Sequence, residues 1–130
     1  MKTKIGLTLL VLTCFIACKK EPGIGGNGSI KGSVITKKYN ATHTQLIGTF
    51  PNADQYVYIV FGDHVGYDKR IKTDYNGEFE FDFLYPGKYE LYTYSADSTG
   101  NALSGQMVIT RDVQLKKNES QTIQRFVVYE

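Results

Sequence analysis

The chain has 130 residues, enough for one domain with short appendages. Ten Tyr, seven Phe, thirteen Gly, no Trp and only two Cys, with no sustained helical periodicity, point to an all-β domain of short strands. Lys2 and Lys4 carry the whole formal excess of +2, so from Cys18 onward acidic and basic side chains balance, which excludes an electrostatic footprint for nucleic acid.

Met1–Lys4 is a short basic stretch, and Ile5–Ala17 is an apolar run of 13 residues. That is the length of a signal-peptide core and too short to cross a bilayer comfortably. The run closes in Phe15-Ile16-Ala17-Cys18. This resembles the bacterial lipobox, with Phe15 where that motif prefers Leu. The resemblance implies a signal peptide over residues 1–17, diacylation (palmitate-type) of the Cys18 sulfur, and a lipoprotein held at the cell envelope. The expected location is the outer membrane, on its periplasmic or surface side. Cys14 leaves with the signal, so Cys18 becomes the only mature Cys and no intrachain disulfide can form. The alternative is an ordinary secretory signal with an incidental Cys. Residues 18–28 read as a flexible Gly-rich tether, KKEPGIGGN at its centre. Lys19 and Lys20 either touch anionic headgroups or are simply solvated.

The domain is expected over residues 29–130. Ser29–Lys37 is the first strand, with Ile30, Gly32 and Val34 on one face. Gly32 marks a bulge or the close approach of another backbone. The polar stretch Tyr39–Asn52 leaves room for a short edge strand anchored by Leu46, Ile47 and Phe50. In Gln55–Phe61, Val57, Ile59 and Phe61 point one way and Tyr56, Tyr58 and Val60 the other. Lys69–Asp74 follows the loop Gly62–Asp68.

Lys72–Tyr94 is the most legible stretch. Asn76-Gly77 predicts a type I′ hairpin turn. Phe79, Phe81 and Phe83 then alternate with Glu78, Glu80 and Asp82, which places the rings on one face. Tyr85-Pro86-Gly87-Lys88 predicts a type II turn, and Tyr89–Tyr94 returns, so the expectation is a three-strand meander. Gln106–Leu115 points Ile109, Val113 and Leu115 inward. Gln121–Tyr129 alternates plausibly in either frame, Ile123/Val127/Tyr129 or Phe126/Val128. About seven strands with frequent turn signals give the profile of an antiparallel β-sandwich.

Ile30-x-Gly32-x-Val34, Tyr56-Val57-Tyr58-Ile59, Thr73-Asp74-x-Asn76-Gly77-x-Phe79-x-Phe81 and Leu84-x-x-Gly87-x-Tyr89 occur in the order seen in carboxypeptidase regulatory-like domains. Ser29–Tyr129 resembles that family, whose members are transthyretin-like (prealbumin-like), immunoglobulin-like sandwiches. The resemblance implies a seven-stranded sandwich and leaves function open, because such modules accompany enzymes, receptors and surface lipoproteins alike.

Catalytic and metal chemistry lack their residues. No H-x-x-x-H, C-x-x-C or H-E-x-x-H spacing occurs, so no zinc site and no cofactor is expected. An EF-hand register with Gly77 at its sixth position puts Lys72 first and Phe83 twelfth, both wrong for calcium. Asp63, His64 and Asp68, or Asp74 with a carboxylate of that loop, form either a weak cation site or an ordinary solvated loop. Lys31 and Asn118 are poorly placed for an isopeptide bond. The chain end Val127-Val128-Tyr129-Glu130 lacks the Tyr-Arg-Gly-Ser tail of the hydroxyisourate hydrolase branch. No nucleophile–base constellation marks an enzyme.

Tyrosine is the feature most open to a functional reading. Tyr56 and Tyr58 face away from Val57, and Tyr92 and Tyr94 away from Tyr89 and Leu91. If their strands are neighbours, one sheet presents an aromatic cluster suited to a protein or glycan partner. The competing account is that cross-strand Tyr pairs merely stabilise a solvent face. The expectation is a membrane-anchored, non-catalytic module binding such a partner, with a purely structural envelope component as the alternative.

Overall fold

The structure, a computed structural model, describes residues 21–97 and 103–130. The proposed signal peptide and Cys18 lie outside the described residues. Among the described residues there are nine strands and no helix: β1 (Ile24–Tyr39), β2 (Leu46–Pro51), β3 (Tyr56–Phe61), β4 (Lys69–Lys72), β5 (Glu78–Leu84), β6 (Gly87–Ala96), β7 (Gln106–Leu115), β8 (Ser120–Thr122) and β9 (Phe126–Tyr129).

They form two sheets packed as a sandwich. One runs β4-β3-β6-β7, antiparallel throughout. The other is built around β1. Its first half pairs with β5 and its second half with β2, both antiparallel, while β8 and β9 run parallel to it. Val34 marks the junction between β5 and β2: its N–H donates to the Gly77 carbonyl at 2.7 Å, and its carbonyl accepts from the Asn52 N–H at 2.9 Å.

Several expectations are corrected. There are nine strands rather than seven, because β2 is present and the last predicted strand breaks at residues 123–125 into β8 and β9. That break resets the frame. Ile123, its first residue, packs against the core, and Phe126 and Val128 are buried after it. The sandwich is also not purely antiparallel, since the chain reaches β8 from the opposite sheet rather than by a hairpin from β1. Finally, the segment expected as a tether up to Gly28 is strand from Ile24 onward. The Gly23 N–H donates to the Tyr89 hydroxyl at 2.9 Å, and its carbonyl accepts from the Tyr85 N–H at 2.8 Å.

The predicted meander is not one. β4 and β6 belong to one sheet and β5 to the other. The Asn-Gly turn is a crossing between sheets. Its corner is Asp74–Gly77, closed by the Gly77 N–H on the Asp74 carbonyl at 3.0 Å. Gly77 alone has positive φ there, at 73°, so the type I′ expectation fails. The Asp74 carboxylate accepts from the Asn76 and Glu78 amides, both at 2.9 Å, and this Asx geometry fixes the corner. A Cβ on Gly77 would strike the Val34 carbonyl, so close approach to β1 also requires glycine. The crossing back, Tyr85–Gly87, is a bend held by the Tyr89 hydroxyl donating to the Tyr85 carbonyl at 2.6 Å.

The core lies between the sheets. Ile30, Val34, Phe79, Phe81, Leu84, Phe126 and Val128 meet Val57, Ile59, Tyr89, Leu91, Val113 and Leu115. The Phe ladder fails at its third rung. Phe83 adopts φ 60° and is 68% exposed, while Leu84 takes the buried place. The register of β1 on β5 shifts at this point, so one residue is bulged out of the alternation. Left-handed backbone in a bulky residue costs about 1–2 kcal/mol.

Candidate functional site

The outer face of the four-stranded sheet gathers the predicted tyrosines. Antiparallel register sets Tyr58 opposite Tyr92 on one side and Arg70 on the other, Tyr56 opposite Lys72, and Tyr94 opposite Val108. Tyr58 and Tyr92 stack with centroids 4.9 Å apart and planes 8° apart. Tyr94 meets Tyr58 edge-on at 5.6 Å and Tyr92 at 5.9 Å, and Tyr56 lies 6.2 Å from Tyr58. All four candidates therefore form one aromatic cluster. Tyr94 is 40% exposed and the other three are half-buried.

Three members were not anticipated. Tyr67, from the β3–β4 loop, sets its ring edge-on to Tyr58 at 4.9 Å. Its loop position hides it from any alternation argument. Arg70 places its guanidinium 4.3 Å from the Tyr56 ring centre, with the Lys72 ammonium at 5.1 Å. Alternation along β4 was the available signal, because Ile71 packs inward and leaves Arg70 and Lys72 outward. The neighbouring Tyr58 phenol first, and then Tyr56, hold the Arg70 pKa above its ordinary value and so favour the cationic guanidinium.

The β3–β4 loop is ordered by its own polar groups. Gly62 and Gly66 have φ 58° and 81°. The Asp68 carboxylate accepts from the Phe61 N–H at 2.7 Å and lies 2.8 Å from His64 Nδ1. Partial burial raises the Asp68 pKa, but the Phe61 amide and His64 outweigh it and the net shift is downward. These bonds hold Tyr67 over the sheet.

Beside the cluster lies an open cavity of about 340 Å³. Asp63, His64, Lys88 and Glu90 line it, with Tyr92 shared between cavity and cluster. The Tyr92 phenol is pushed above the ordinary tyrosine value by burial first, then by Tyr94, Tyr58, Tyr67 and Glu90. The geometry offers ring surfaces for stacking next to hydrogen-bonding groups of both signs.

Among the described residues, no group of three or more His, Cys, Asp or Glu stands together as a metal site. Asp68 serves Phe61 and His64, Asp63 is 3.4 Å from Lys88, and Asp74 caps its own turn. A second groove, of about 1110 Å³, involves Lys31, Glu80, Arg111 and Arg125. There Lys31 lies 3.7 Å from Glu80, and Arg111 donates to the Gln124 and Arg125 carbonyls while covering the Phe126 ring. No helix among the described residues is long and apolar enough to cross a membrane.

Fold and site together define an all-β, two-sheet sandwich with an aromatic outer face. No family model matches the chain, and no curated protein matches it. Among solved structures it is similar to a protein of Pseudomonas aeruginosa for which carbohydrate binding has been proposed. That match has a TM-score of 0.50 and 15% sequence identity, and covers 83% of this chain and 91% of the other. At that identity the likeness concerns the fold.

Proposed function

We propose that this protein is a membrane-anchored, non-catalytic β-sandwich lipoprotein that binds a glycan at the cell envelope through its tyrosine face. The observation that carries the reading is the Tyr58–Tyr92 stack flanked by Tyr56, Tyr67 and Tyr94, bordering a polar cavity that shares Tyr92. Pyranose rings present apolar C–H faces to aromatic rings and hydroxyls to polar side chains. Asp63, His64, Lys88 and Glu90 supply donors and acceptors for those hydroxyls. The structural neighbour with a proposed carbohydrate-binding role is consistent with this reading. The order of the Gly, Phe and Tyr motifs supports membership of the carboxypeptidase regulatory-like family. The basic start, apolar run and Cys18 support lipid anchoring.

A purely structural role is the second reading, and the same stacked pair favours it, because cross-strand aromatic pairs stabilise sheets. A glycan array followed by calorimetric titration separates the two. Under the glycan reading, Tyr92→Ala and Glu90→Gln each weaken the best ligand at least about 10-fold. Absence of any ligand, or affinities unchanged by both substitutions, removes the tyrosine face as a binding site.

A further inference from the structure

We infer that the end of the sandwich carrying Phe83 and Ile24 is a membrane-contacting surface, seated among lipid headgroups. The inference rests on the anchoring at Cys18 proposed above.

Phe83 is the first observation. It is 68% exposed and held at φ 60°. Neither burial nor backbone preference accounts for a bulky aromatic there, since left-handed backbone favours Gly or Asn. Ile24, 49% exposed, is the Cα partner of Leu84, the residue after Phe83. Two exposed apolar side chains thus sit on adjoining backbone positions. Val65 is fully exposed in the β3–β4 loop at the same end, where Pro22 packs near Gly62.

The path of the chain is the second observation. Gly23 is tied to Tyr89 and Tyr85, and Pro22 lies against Gly87, so the polypeptide is fixed to the body from Pro22 onward. Only Lys19, Lys20 and Glu21 separate Pro22 from Cys18. Four extended residue steps reach at most about 14 Å. A lipid on Cys18 therefore keeps this end at the bilayer, and the β2 end, at the far end of β1, away from it.

Charge is the third. Lys116 and Lys117 lie in the β7–β8 turn, which is tied to this end by the Ser29 N–H donating to the Glu119 carbonyl at 2.9 Å. Neither lysine is in an ion pair among the described residues. Exposed apolar side chains beside free lysines match a surface of anionic headgroups over acyl chains.

The test uses the full chain produced in a lipidating host, its N-terminus checked by mass spectrometry. It is inserted into nanodiscs of phosphatidylethanolamine and phosphatidylglycerol with a headgroup-attached paramagnetic label. The expected result is selective loss of most of the amide signal at Ile24, Val65, Phe83 and Lys117, with Gly48 and Thr49 of β2 unaffected. Combined Ile24→Asn and Phe83→Asn substitution should restore much of the lost signal. Signal loss that the double substitution leaves unchanged overturns the headgroup contact while leaving anchoring and the tyrosine site standing; uniform loss, no loss, or loss centred on β2 overturns the inference and the short tether with it, leaving the tyrosine site standing. Signal loss at this end that disappears on dilution with empty nanodiscs assigns the patch to a second copy of the chain and also overturns it. A free Cys18 thiol removes the anchor and this inference together, leaving the glycan test independent.

Discussion

Tyr58 and Tyr92 stand directly opposite one another on β3 and β6, their rings stacked at 4.9 Å and nearly parallel. Such a pair contributes about 0.5–1.5 kcal/mol beyond the area it covers. A double-mutant cycle of Tyr58→Ala and Tyr92→Ala, read by urea unfolding, should therefore show coupling of that size. Strictly additive losses would mean that the stacking is geometric only.

The phenol of Tyr92 should titrate late. Burial, then neighbouring Tyr94, Tyr58, Tyr67 and Glu90, raise its pKa, and burial raises that of Tyr89. A group whose pKa rises on folding keeps its proton longer in the folded chain. Its contribution is complete below the unfolded tyrosine value of about 10 and is lost as pH climbs through the folded value. Phenolate absorbance should show late-titrating groups, one of which disappears in Tyr92→Phe. The urea midpoint of the parent should fall more steeply than that of Tyr92→Phe above about pH 10.

Phe83 should be a site where substitution stabilises. Replacing it with Gly relieves about 1–2 kcal/mol of left-handed strain, against about 0.5–1 kcal/mol of added chain entropy. The net gain is about 0.5–1 kcal/mol and a melting temperature higher by a few degrees. Phe83→Ala keeps the strain and should show no such gain. If Ala and Gly behave alike, the bulge is not strained.

Tyr89→Phe should loosen the N-terminal segment. Its hydroxyl donates to the Tyr85 carbonyl and accepts from the buried Gly23 amide. Losing it leaves that amide unpaired at a cost of about 1–3 kcal/mol. Hydrogen exchange should accelerate from Gly23 to Gly28 while Val57 and Leu91 stay protected. Unchanged protection at Gly23 would show that the hydroxyl does not hold this segment.

Much of the site was legible because period-two alternation is a local property. Tyr56 and Tyr58, and Tyr92 and Tyr94, face away from Val57, Ile59, Tyr89 and Leu91, which are buried. Tyr67 was not legible, because a loop residue has no periodicity and its place over Tyr58 depends on the Asp68 bonds that fold the loop back.

The sequence by itself determined that the domain is built of β-strands, which faces of β1, β3, β6 and β7 are apolar, and that tyrosines gather on outward faces. These follow from side chains alternating about a single strand. Only the tertiary structure decided which strands are neighbours. Asn76-Gly77 and Pro86-Gly87 looked like hairpin turns, yet β5 lies across the core from β4 and β6. A tight corner and an amphipathic strand look the same whether the chain pairs with its predecessor or crosses to the facing sheet. The choice is made by non-local contacts: Gly77 against Val34, and Phe79, Phe81 and Leu84 filling the space opposite Val57, Ile59 and Leu91. The bulge at Phe83 was decided in the same way, when burial of Leu84 outweighed the preference of a phenylalanine backbone.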